Sequence, residues 1–225
     1  MFNLAEWLRT TMDFASLLPK LLFKLLKAAR KGNRNFEVER KYSITAKEHA
    51  DLPGKLRSLG FRHANDVHMT DTFIPTVVDG DMCRIREERE DSRSSYVLTR
   101  KTWVHIDGQK EREEHEEKLT DLTRKTLLEL GERLSNRPLL SFSKERTHYI
   151  RKEPDGQIIV ALDLVEGLGE YSGDYMEVEI LVKKEADVAT AREAIREVAL
   201  DLLGEEREPV QMSYQEMLKR TASPR

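Results

Sequence analysis

Hydrophobic and polar residues alternate along much of this chain at a period of two. In FEVERKYSI, Phe36 to Ile44, the residues Phe36, Val38, Arg40 and Tyr42 fall on one side of a strand, and Glu37, Glu39 and Lys41 on the other. The same reading predicts strands at DTFIPTVV (71–78), MCRIREE (82–88), SYVLTRK (95–101), KEREEHEEKL (110–119), LSFSKERTHYI (140–150), QIIVALDLV (157–165) and YMEVEIL (175–181). Turn material at Asp79-Gly80-Asp81, Asp107-Gly108 and Pro154-Asp155-Gly156 makes hairpins the dominant connection.

Other stretches carry the helical period. Thr45 and Glu48 have the spacing of a capping box, Leu52, Leu56 and Leu59 repeat behind them, and Gly60 can close the helix, with Pro53 a point where it could bend. Two more helices are expected, at 120–134 with Leu122, Leu127, Leu130 and Leu134 as the apolar stripe, and at 186–203 closed by Gly204. A short helix over 214–220 follows. Near the start, leucines from Leu17 to Ala29 recur at helical spacing while Lys20, Lys24, Lys27 and Lys31 form a second stripe. That basic amphipathic helix could lie on an anionic membrane surface or pack on the domain or on a second copy of the chain. Its lysines are too frequent for a transmembrane span, and the early segment lacks the pattern of a secretory signal. Residues 1–34 therefore read as an extension, 35–225 as the globular domain, and the cytoplasm as the compartment, with membrane association through 1–34 left open.

Placing every strand on its two faces changes the picture. Arg84 and Arg86 share a face, as do Thr99 and Lys101, then Arg112, Glu114 and Glu116, then Lys144 and Arg146, and finally Glu177 and Glu179; Asp163 stands opposite Leu162 and Leu164. One strand with a wet face is ordinary in an antiparallel sheet. A whole set with like charges on neighbouring same-face positions is not, because such pairs repel unless something compensates them. If the sheet closes into a barrel, the apolar faces pack outward beneath helices and the charged faces line a lumen. The expected fold is thus α+β, a closed antiparallel barrel of about eight strands with surrounding helices, preceded by the amphipathic helix.

Composition narrows the chemistry. The 225 residues include 38 Lys and Arg against 41 Asp and Glu, a formal net charge of −3, so no global basic field draws nucleic acid. An RNA-binding barrel would also need exposed aromatics for stacking. The single cysteine, Cys83, cannot form an internal disulfide and fits a buried apolar position; the six histidines are scattered and none is assigned to catalysis. Clustered carboxylates without His or Cys suit Mg²⁺ or Mn²⁺, and clustered Arg and Lys suit phosphate oxygens. A lumen holding both suits a condensed phosphate bridged by divalent cations.

The ordered series Glu37-x-Glu39-x-Lys41, Asp71-Thr72-Phe73, Arg84-Ile85-Arg86, Leu98-Thr99-Arg100-Lys101, Arg112-Glu113-Glu114-His115-Glu116, Lys144-Glu145-Arg146, Asp163 and Glu177-Val178-Glu179 resembles the CYTH family, the triphosphate tunnel metalloenzymes. That family includes thiamine triphosphatases, inorganic tripolyphosphatases and a class of adenylate cyclases. The resemblance, over about 35–220, implies that Glu37, Glu39, Asp163, Glu177 and Glu179 ligate two Mg²⁺ or Mn²⁺ ions. It implies that Arg84, Arg86, Lys101, Arg112, Lys144 and Arg146 hold phosphates, and that Lys41, with Glu39, serves the attacking group. Two departures stand out: Thr-Trp-Val-His follows Lys101 where glycine is often found, and residues 1–34 match nothing in the family core.

The expected activity is metal-dependent hydrolysis of a triphosphate, inorganic tripolyphosphate or an organic one. The alternatives are an adenylate cyclase and a non-catalytic polyphosphate-binding module, and the latter gains nothing from five carboxylates in its pocket. Trp103 and Phe142 are candidates for stacking but fit packing roles better. Ser213 and Tyr214 would help the terminal helix close one mouth of the tunnel.

Overall fold

The computed structural model describes residues 36–76, 82–106, 109–154 and 156–222, with the backbone alone for 103–106 and 109–113. The amphipathic helix expected at 17–29 lies outside the described residues. Eight strands run β1 (Phe36–Ile44), β2 (Arg62–Phe73), β3 (Met82–Glu90), β4 (Arg93–Ile106), β5 (Gln109–Lys118), β6 (Ser141–Glu153), β7 (Gly156–Glu166) and β8 (Gly173–Val182). They interleave with helices α1 (Ala46–Ser58), α2 (Asp121–Ser135), α3 (Val188–Leu203) and α4 (Tyr214–Ala222). All strand pairs are antiparallel, and the order β1-β5-β4-β3-β2-β6-β7-β8 closes on itself as a barrel. The seam is β1: it pairs with β8 along its whole length and with β5 only at Phe36↔Glu113 and Glu37↔Arg112.

Local signals explain the helices. The Glu48 N–H donates to Thr45 Oγ1 over 3.2 Å while the Thr45 N–H donates to Glu48 Oε2 over 2.7 Å, so both exposed donors at the start of α1 are satisfied. Helix α3 ends where Gly204 takes φ 78° and its N–H donates to the Leu200 carbonyl. Their apolar faces cover one side of the barrel: Leu52 and Leu56 of α1 and Ile195, Val198 and Leu202 of α3 meet Val38, Tyr42, Val160, Leu162, Met176 and Val178 from β1, β7 and β8. Across the barrel, Leu127 of α2 packs on Cys83, Ile85 and Leu98. Two cores lie outside the sheet, which leaves its other face to the lumen. Helix α4 differs, because Tyr214, Met217 and Leu218 pack against Phe73, Phe142, Val165, Leu168 and Tyr175 and stop one end of the barrel.

Two expectations fail in detail. The second strand begins at Arg62 rather than 71 and ends at Phe73, after which the chain turns away and the Ile74 N–H bonds the Cys83 carbonyl. Its early part, RHANDVHM, is too polar to read as a strand by hydrophobicity, because Arg62, His63 and Asp66 stand exposed and Val67 and Met69 are its buried residues. In α2 the stripe is misplaced: Leu122 is 75% and Leu134 45% exposed, and the buried positions are Leu127 and Gly131. A Cβ on Gly131 would stand 3.2 Å from Leu139, so the helix approaches through a glycine and needs little apolar width.

Candidate active site in the barrel lumen

The buried charges sit where the two-residue period puts them. Glu37, Lys41, Asp71, Arg84, Arg86, Lys101, Lys144, Arg146, Asp163 and Glu177 are all buried, and those on β1, β3, β4, β7 and β8 lie on the strand face opposite the outer apolar core. Charged groups are rarely taken out of water without partners. The register decides which partners each receives.

One half of the lumen is an acidic cluster. Glu39 lies directly across from Glu179 in the β1–β8 ladder, and ligand oxygens of Glu37, Glu39 and Glu179 lie within 4.8 Å of one another. Lys101 reaches in from β4, its Nζ 2.7 Å from Glu37 Oε1 and 3.2 Å from Glu114 Oε2. Burial, with Glu37 and Glu39 beside it, pushes the Glu179 carboxyl up to about 8. Three carboxylates with no nitrogen or sulfur donor among them fit a hard divalent cation, which would relieve the repulsion that raises Glu179.

The other half is basic. Asp71 accepts from Arg86 Nε at 2.7 Å, Arg86 Nη2 at 2.8 Å and Arg84 Nη1 at 3.0 Å. Full burial works against its ionisation, yet the two guanidinium groups hold its carboxyl well below the usual range. Arg84 Nε is buried with no hydrogen-bond partner, a donor left over for an anion. Asp163 accepts from Arg146 Nε at 2.5 Å, Lys144 Nζ at 2.9 Å and the Tyr214 hydroxyl at 3.0 Å, and Arg146 also donates to Glu177. Burial, followed by the neighbouring Arg146, lowers the Lys144 ammonium to about 8. Lys41 Nζ stands 3.7 Å from the centre of the Tyr214 ring.

The five carboxylates expected to hold metal therefore divide. Glu37, Glu39 and Glu179 come together, whereas Asp163 and Glu177 lie among Lys144, Arg146 and Lys41, with Glu177 directly across from Lys41. Arg84, Arg86, Lys101, Lys144 and Arg146 all line the lumen; of Arg112 the backbone register alone is described, opposite Glu37. Three further residues that the sequence reading gave no metal or phosphate role belong to the site: Asp71, Glu114 and Tyr214. Asp71 alternates with Met69 and Phe73 on one face, a signal present in the sequence; the role of Tyr214 depends on where α4 docks.

A closed antiparallel barrel that encloses segregated acids and bases defines an α+β protein with a charged lumen. The chain belongs to the CYTH family, whose CYTH domain model matches residues 35–214. Among solved structures it resembles the PH1819 protein of Pyrococcus horikoshii OT3, at 25% identity over 82% of this chain and 98% of that one, with a TM-score of 0.61. It also resembles, at 17% identity and a TM-score of 0.55 over 83% of this chain and 95% of the other, a Hippeastrum protein named as an adenylyl cyclase, HpAC1, and described as having a dominant triphosphatase activity. A Vibrio parahaemolyticus protein named as an adenylate cyclase gives a TM-score of 0.56 at 17% identity over 82% of this chain and 98% of the other. The last two likenesses show the fold. No curated protein matches the sequence. Among the described residues no helix is long and apolar enough to cross a membrane.

Proposed function

We propose that this chain hydrolyses a triphosphate with the help of a divalent cation. The observation that carries the reading is the three-carboxylate cluster of Glu37, Glu39 and Glu179 in the same enclosed lumen as the arginine and lysine set. Glu37, Glu39 and Glu179 would hold Mg²⁺ or Mn²⁺, which supplies charge neutralisation at the transferring phosphoryl group and a lowered pKa for an attacking water. Arg84, Arg86, Lys144 and Arg146 would grip the phosphoryl oxygens, the arginines through two donors at a time. The unpartnered Nε of Arg84 supports this, since it already lacks an acceptor. Lys101, beside Glu37, would bridge the acidic and basic halves, with Arg112 nearby on β5. Lys41, held over the Tyr214 ring, would position the attacking group. Asp163 and Glu177 would act chiefly by orienting Lys144 and Arg146, because ion pairs already engage their oxygens.

The test is phosphate release from tripolyphosphate, thiamine triphosphate and ATP with Mg²⁺ or Mn²⁺, alongside Glu39→Gln. The variant should keep its circular dichroism spectrum and lose activity by roughly 100-fold or more. Undiminished turnover overturns the site, and cyclic AMP formed from ATP in place of released phosphate overturns hydrolysis.

A further inference from the structure

Away from the end stopped by α4, the lumen holds a cavity of about 550 Å³ whose lining includes Val67, Met69, Glu88, His148, Ile150 and Ile159. Its volume lies within the roughly 300 to 1,000 Å³ usual for small-molecule sites. Its chemistry breaks sharply with that of the neighbouring clamp, and the break falls strand by strand. Along the inner face of β3 the residues run Arg84, Arg86, Glu88, Glu90; along β6 they run Lys144, Arg146, His148, Ile150; along β7 they run Asp163, Ala161, Ile159. The ladder sets Met69 across from Glu88 and His148 across from Ala161. Cations that suit phosphate thus give way together to apolar walls and hydrogen-bond acceptors.

Resting on the triphosphatase reading, we propose that this cavity holds the organic head group of the substrate, a neutral or cationic ring bearing N–H donors, so that the substrate is an ester of triphosphate rather than inorganic tripolyphosphate. Glu88 offers carboxylate oxygens, one of which accepts from Ser95 Oγ at 3.2 Å. His148 Nδ1 lies 2.9 Å from Asn65 Oδ1, an atom that can only accept, so Nδ1 is the donor and Nε2 keeps its lone pair. Val67, Met69, Ile150 and Ile159 supply the apolar surface on which a ring gains by leaving water. A longer polyphosphate fits poorly. Its next phosphoryl group would meet Glu88 and Glu90, and the arginine at the rim, Arg93, stands across from Glu90 in the ladder.

Calorimetric titration of the full chain in EDTA, where metal-dependent turnover stops, separates the possibilities. Thiamine triphosphate or ATP should bind at least tenfold more tightly than tripolyphosphate. Glu88→Lys should reduce that preference at least tenfold, and Ile150→Trp, which fills the cavity from a position paired with Ile159 on β7 and not with a residue of the clamp or the acidic cluster, should do the same if Glu88→Lys fails to fold. Equal or tighter binding of tripolyphosphate overturns the inference, as does a preference that neither variant moves. Phosphate release run in parallel keeps the two readings apart. Tripolyphosphate hydrolysed without organic preference defeats the head-group site alone, and organic preference without hydrolysis defeats the activity alone.

Discussion

The hydroxyl of Tyr214 donates to Asp163 Oδ2 over 3.0 Å, tying the C-terminal helix to the basic half of the lumen. The same ring lies under Lys41 Nζ and packs edge-on against Tyr175 at 5.5 Å. Tyr214→Phe keeps the ring and removes the hydrogen bond to a charged acceptor, a loss of about 1.5 to 3 kcal/mol by denaturant titration. Tyr214→Leu should cost more and also weaken catalysis, since it withdraws the surface that holds Lys41. Equal stability of Tyr214→Phe and wild type would show that the hydroxyl is not held by Asp163.

Asp71 is the shared acceptor of Arg84 and Arg86. Replacing it with asparagine leaves two buried guanidinium groups short of their counter-charge, so Asp71→Asn should lose about 3 to 5 kcal/mol of stability. Tripolyphosphate should raise the melting temperature of the variant more than that of the wild type, because the anion replaces the missing charge. An unchanged melting temperature without ligand would refute this account of Asp71.

Gly169 holds φ +57°, and a Cβ there would lie 2.7 Å from Cγ2 of Thr221 in α4. Thr221 Oγ1 meanwhile donates to the Leu168 carbonyl at 2.8 Å. Gly169→Ala should therefore cost about 1 to 3 kcal/mol and loosen α4, seen as faster proteolysis of the C-terminus. Adding Thr221→Ser, which removes the offending methyl, should restore part of the loss; if the double variant is no better, the clash is not the cause.

His148 is pushed down to about 4 by burial and then by Arg146. Between about 4 and its ordinary 6.5 the unfolded chain takes up a proton that the folded one refuses, so this contribution to stability is present above pH 6.5 and is lost as pH falls toward 4. The expected slope is up to one proton, about 1.4 kcal/mol per pH unit, and His148→Gln should flatten it. An imidazole NMR titration of His148 with a midpoint near 6.5 would contradict the prediction.

The strands of the barrel and their inner and outer faces were legible in the sequence because side chains alternate at a fixed period of two, whatever the strands pair with. From β1 alone it follows that Glu37, Glu39 and Lys41 share a face. The start of β2 was not legible, since its first residues are polar and exposed and its buried face begins at Val67 and Met69, and neither was the narrow face of α2, which packs through Gly131.

What the period cannot supply is register. Pairing Glu39 with Glu179 gathers three carboxylates into a cation site, while the next lumen-facing pair in the same ladder sets Glu177 against Lys41 and assigns it to the bases. A two-residue slip of β1 on β8 would keep every side chain on its face and change those partners, setting Glu39 against Glu177 in one direction or Lys41 against Glu179 in the other. The sequence by itself therefore determined which charges enter the lumen. Only the tertiary structure decided which of them meet, because closing the barrel fixes the stagger of all eight strands together.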